Sequence, residues 1–128
     1  MRLYFCLLAA LSFFLLSFDG QENPLHKKWN LIAEETVYVN FHNTKYDNLS
    51  GRIDSVKGIE IQFLPDGSYK SSEGDGSYNI AKDSIHLSND SRNSSFKFDI
   101  KDSKLLMETS VNKSEYIVKS VLHLSPAT

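Results

Sequence analysis

Apolar and polar side chains alternate along most of this chain with a period of two. Ile59, Ile61 and Phe63 are separated by Glu60 and Gln62, and Phe96, Phe98 and Ile100 by Lys97 and Asp99. Val37, Val39 and Phe41 keep the same rhythm, as do Tyr78 and Ile80, Ile85 and Leu87, and Tyr116, Val118, Leu122 and Leu124. Successive side chains of a strand point to opposite faces, so this pattern predicts strands with one buried and one wet face. A parallel sheet would instead show unbroken apolar runs separated by helical segments.

Turn chemistry falls between these segments. Asp66-Gly67 follows Leu64-Pro65, and Gly67 can adopt the positive φ that a tight hairpin needs. Glu73-Gly74-Asp75-Gly76 forms a second such break, with shorter polar breaks at Lys82-Asp83 and Asp102-Ser103. Residues 88–95 and 111–114 are polar connectors. The predicted strands are Lys28–Ala33, Thr36–Phe41, Gly58–Leu64, Ser68–Ser72, Ser77–Ala81, Ser84–Ser88, Ser95–Lys101, Lys104–Thr109 and Glu115–Leu124. The stretch from His42 to Lys57 is polar and aperiodic. It is expected to be a long loop, an extended hairpin or a helical turn.

One parity from each strand converges on a shared interior that includes Trp29, Leu31, Val37, Val39 and Phe41. Closing the sheet would remove its exposed edges. The expected fold is therefore all-β: an antiparallel up-and-down meander closing into a barrel of about eight or nine strands.

The first residues form a separate object. Met1-Arg2 is a basic start, Leu3 to Phe18 is uncharged, and Asp19-Gly20-Gln21 ends the run. This describes a secretory signal peptide over residues 1–20, cut before Gln21. The run is too short for a spanning helix, which needs about 20 apolar residues. Cys6, the sole cysteine of the chain, lies inside it. The remaining domain, residues 21–128, then has no disulfide, thiolate metal site or cysteine nucleophile. An exported chain without disulfides points to a bacterial periplasm or secretion from the cell. Asn48, Asn89, Asn93 and Asn112 begin N-x-S sequons, which there mark exposed turns. With a formal net charge of −2 and mixed signs along the chain, nucleic-acid binding has no electrostatic support.

The order of features resembles the bacterial lipocalin-like proteins common in Bacteroidetes. Their opening Leu-x-Gly-x-Trp corresponds to Leu25-His26-Lys27-Lys28-Trp29, with lysine in place of glycine. Their central apolar strand, Asp-Gly, aromatic and Gly-x-Tyr hairpin corresponds to Ile61–Phe63, Asp66-Gly67, Tyr69 and Gly76-Ser77-Tyr78. Asp83 to Leu87 and Lys104 to Met107 continue the pattern, which spans residues 25–124. The resemblance implies a β-barrel that holds a small molecule, without naming one.

Candidate chemistry is sparse. His26, His42, His86 and His123 lack the spacing of a local metal pair. Glu34 and Glu35 are adjacent, so on a strand they face opposite sides and make no acid–base dyad. There is no G-x-S-x-G elbow and no phosphate loop. The expectation is a monomer that is not an enzyme and has no cofactor, no metal and no membrane span once the leader is gone. Trp29 is expected to close one end of the barrel. The inward aromatics Phe41, Phe63, Tyr69, Tyr78, Phe96, Phe98 and Tyr116 are the candidate ligand-binding residues. They either line an apolar pocket or fill the barrel themselves. In the second case the protein is a structural or protein-interaction domain of the cell envelope, offering Leu106, Ile117 and Val121 as an outer apolar strip.

Overall fold

A computed structural model describes residues 23–127. The predicted leader and its cleavage site lie outside the described residues. Nine strands follow in order: β1 (Lys28–Val39), β2 (Arg52–Ser55), β3 (Glu60–Phe63), β4 (Ser68–Ser71), β5 (Gly76–Ala81), β6 (Ser84–Ser88), β7 (Asn93–Lys101), β8 (Lys104–Asn112) and β9 (Ile117–Pro126). Every pairing is antiparallel, and the sheet order is β2-β1-β3-β4-β5-β6-β7-β8-β9. β1 also pairs with β9 from Trp29↔Pro126 to Val39↔Ile117, which closes the sheet into a barrel.

With β9 along one edge of β1, both β2 and β3 must occupy the other. β3 pairs with Lys28 to Asn30, and β2 with Ala33 to Thr36. They are thus two halves of one interrupted strand. The interruption centres on Gly58 at φ 81°, bracketed by hydrogen bonds from Val56 N to Ile32 O and from Leu31 N to Ile59 O. The barrel is an eight-walled up-and-down meander, the architecture of a lipocalin-like barrel, with β2 as the extra rim strand.

Two strand expectations are corrected. Lys28–Ala33 and Thr36–Phe41 are not separate strands: β1 runs continuously through Glu34 and Glu35. Its register against β9 slips between Leu31 and Ala33, leaving Ile32 in a β-bulge. One extra residue flips the parity beyond it. Leu31 faces the interior, but so do Glu34, Thr36 and Tyr38. Val37 and Val39 point away from the barrel interior, opposite Lys119 and Ile117, although Val39 is buried there, while Phe41 sits in the following turn, 56% exposed. The expected loop from His42 to Lys57 contains β2, and the Asn40 carboxamide oxygen organises the turn before it by accepting from His42 N and Thr44 N.

One end of the barrel is sealed. Leu25, Trp29, Phe63, Ile85 and Leu105 are fully buried there, and Phe98 and Ile100 pack on them. The Trp29 indole N–H donates to Leu25 O at 3.0 Å, which satisfies the polar tip of the largest core side chain. Asn23 Oδ1 accepts from Leu25 N and folds the leading segment under the floor.

Candidate functional site

Above this floor lies a cavity of about 720 Å³, open at the other end. Cross-strand register stacks the inward side chains of β1, β9 and β8 into rows. Leu31, Leu124 and Leu105 form the lowest row, followed by Glu34, Leu122 and Met107. Thr36, Ser120 and Thr109 make the third, and Tyr38, Val118 and Val111 the fourth. Each row stands roughly 7 Å above the last, two residues along a strand. The opposite wall adds Ile61 directly across from Ser71, Leu87 directly across from Ser94, and also Tyr69 and Phe96, with Ser91 in the β6–β7 turn. The cavity therefore passes from an aliphatic floor to a hydroxyl-rich belt.

Turns shape the mouth. Asn89 Oδ1 accepts from Ser91 N and Arg92 N, holding the β6–β7 turn against the opening. Its Nδ2 reaches Tyr69 Oη at 3.4 Å. Glu73 projects from the β4–β5 turn, and with Glu34 and Arg92 supplies the charged groups of the lining. The tall wall β1-β9-β8 continues past the point where β7 leaves β8, at Lys97↔Glu108. There Tyr116 packs edge-on against Tyr38 with ring centroids 5.7 Å apart, and Tyr46 tilts over it at 5.2 Å.

Of the predicted binding residues, Tyr69 and Phe96 line the cavity. Phe63 is buried in the floor, and Phe98 packs against it. Tyr78 stacks edge-on with Phe63 at 5.1 Å, and its hydroxyl donates to Leu64 O at 2.7 Å. That hydroxyl has one proton, so His26 Nε2, 3.0 Å away, must be the donor in the bond between them. Burial, and then the nearby Asp66 charge, push the Tyr78 phenol above its ordinary pKa. Tyr116 belongs to the tyrosine cluster at the rim, and Phe41 stands away from the cavity. The aliphatic, hydroxyl and charged lining residues were not among those predicted. Alternation marked the Leu and Ile positions as inward, but nothing local in the sequence separates a floor residue from a wall residue.

Glu34 and Glu35 do face opposite sides. Glu34 reaches the cavity, while Glu35 Oε1 meets His123 Nε2 at 3.0 Å on the outer face. Among the described residues no three His, Cys, Asp or Glu side chains converge on a metal-sized site, and no helix is long and apolar enough to cross a membrane. The fold and site together define a closed antiparallel barrel with a cavity open at one end. Compared with protein-family models, curated proteins and solved structures, the chain matches none of them.

Proposed function

We propose that this chain is an exported, monomeric lipocalin-like protein, periplasmic or secreted, that holds one small hydrophobic molecule in its barrel without transforming it. The observation that carries the reading is the 720 Å³ cavity with its aliphatic floor. That volume lies within the range of roughly 300–1,000 Å³ typical of small-molecule sites. It also argues against a barrel filled by its own side chains. Affinity would come from removing apolar surface from water at about 25 cal/mol per Å². Likeness to the Bacteroidetes lipocalin-like proteins supports the same reading through the shared order of motifs.

The test is titration of the purified protein with the uncharged fluorescent probe N-phenyl-1-naphthylamine, alongside native mass spectrometry of the protein and its solvent extract. The expected result is one-to-one binding that is lost in Leu122→Trp, whose indole would occupy the cavity. A folded protein that takes up no probe, or a Leu122→Trp variant that binds as well as the parent, would refute the proposal.

A further inference from the structure

We propose that the molecule held by this barrel is an amphiphile with an uncharged, hydroxyl-bearing head group of the sugar class. The inference rests on the ligand-binding reading above and comes from the sequence of rows along the tall wall. The lowest rows are aliphatic apart from Glu34 and suit a hydrocarbon tail. The third row presents Ser120 and Thr109 to the cavity, with Thr36 beside Ser120 in register, and Ser94 adds a further hydroxyl to the lining. A hydroxyl both donates and accepts, so this belt complements other hydroxyls. The fourth row, Tyr38 with Val118 and Val111, stands roughly 7 Å higher beside Tyr116 and Tyr46. Tyr38, Tyr46 and Tyr116 are half-buried and Val111 is 55% exposed, so the shelf is open to solvent. The electron-rich faces of tyrosine rings attract the C–H edges of a saturated ring.

Charge favours a neutral head. On the inward parity of β2, Arg52 and Asp54 neutralise each other at 3.2 Å. The turns bring one charge of each sign, Glu73 and Arg92. Lys119 and Glu108 pair at 3.4 Å on the outer face. Glu34 is left, and at the tyrosine shelf Glu115, whose Oε2 accepts from Tyr46 Oη at 3.3 Å; neither has an ion-pair partner among the described residues. A carboxylate head would lose water to a wall holding another carboxylate. A quaternary ammonium would leave the hydroxyl row without partners, and the edge-packed tyrosines do not form the cage such a cation needs. A sugar uses all three features: its hydroxyls meet the belt, its C–H face meets the tyrosines, and Glu34 accepts from it.

The experiment compares three octyl compounds, kept monomeric, as competitors for bound N-phenyl-1-naphthylamine, an uncharged probe: octyl β-glucoside, octanoate and octyltrimethylammonium. Octyl glucoside is expected to displace the probe at about tenfold lower concentration, the worth of one or two net hydrogen bonds. Thr109→Val with Ser120→Ala should erase that preference without lowering affinity for octanoate, and Thr109→Ser should keep it. Tyr116→Ala should weaken octyl glucoside alone. Equal displacement by all three compounds, or preference for either charged one, overturns this inference but leaves the ligand-binding reading intact. A protein that binds neither probe nor any competitor overturns both.

Discussion

Gly76 opens β5 opposite Tyr69, and the hydroxyl end of the Tyr69 ring occupies the space where a side chain would start. A Cβ built there would stand 2.8 Å from both Cε1 and Oη of Tyr69 and would overlap the Ser88 carbonyl oxygen. Gly76→Ala therefore forces two adjustments. The end of the β5–β6 ladder, at Ser77↔Ser88, must open, and the Tyr69 ring must tilt into the cavity. Inserting a group into a packed interior costs about 1–3 kcal/mol. Taking about 2 kcal/mol, and about 4–8 °C per kcal/mol for a domain of this size, the melting temperature should fall by roughly 8–16 °C. Circular dichroism measures that fall. Probe titration of the still-folded variant should show weaker binding, because Tyr69 lines the cavity. Tyr69→Leu removes the two ring atoms concerned, so Gly76→Ala should cost less in that background, the excess being the coupling between the sites. A Gly76→Ala protein melting within about 2 °C of the parent, with unchanged probe affinity, would refute this account of the wall.

Other predictions concern turns. Asp102 and Ser103 both adopt positive φ, 53° and 62°, in the two-residue turn joining β7 to β8. Left-handed geometry costs a non-glycine residue about 1–2 kcal/mol, so Ser103→Gly should raise stability by about 1 kcal/mol in urea titration. In the β3–β4 turn the Ser68 hydroxyl and then its backbone N–H hold the Asp66 carboxyl below its ordinary pKa. A depressed folded-state value makes the carboxylate stabilising above the ordinary aspartate range, with the effect lost as pH falls through the depressed value. Ser68→Ala should raise the Asp66 pKa in an NMR titration and reduce the steepness of acid destabilisation in that window.

Much of the barrel was legible because alternation and turn chemistry are local. From β3 onward, every hairpin was marked either by Gly67, by the Gly74–Gly76 stretch or by a short polar break. Within uninterrupted strands such as β7, one parity of Phe96, Phe98 and Ile100 identified the inner face. The failures share one physical cause. A bulge at Ile32 changes the face of everything after it, yet Ala33-Glu34-Glu35 reads as a polar interruption between strands. The parity of Val37 and Val39 was consequently reversed, and Glu34 was not recognised as a cavity residue. The large apolar aromatics were expected either to line a pocket or to fill the barrel, and alternation could not sort them between the two. Phe63, Tyr78 and Phe98 fill or abut the sealed end, and smaller side chains leave the open space. Which layer a side chain occupies depends on stagger between strands, a non-local quantity that alternation does not encode.

The pairing of β1 with β9 also constrains how the molecule is made. The longest ladder in the barrel joins Trp29 to Pro126, so the opening strand must wait for the final ten-residue strand before its edge is satisfied. Such long-range closure slows folding relative to local hairpin formation, and the late hairpins β5–β6 and β7–β8 are the natural early nuclei. Until the last segment arrives, the growing polypeptide carries an unsealed apolar trough with two bare borders, the state most exposed to aggregation and proteolysis.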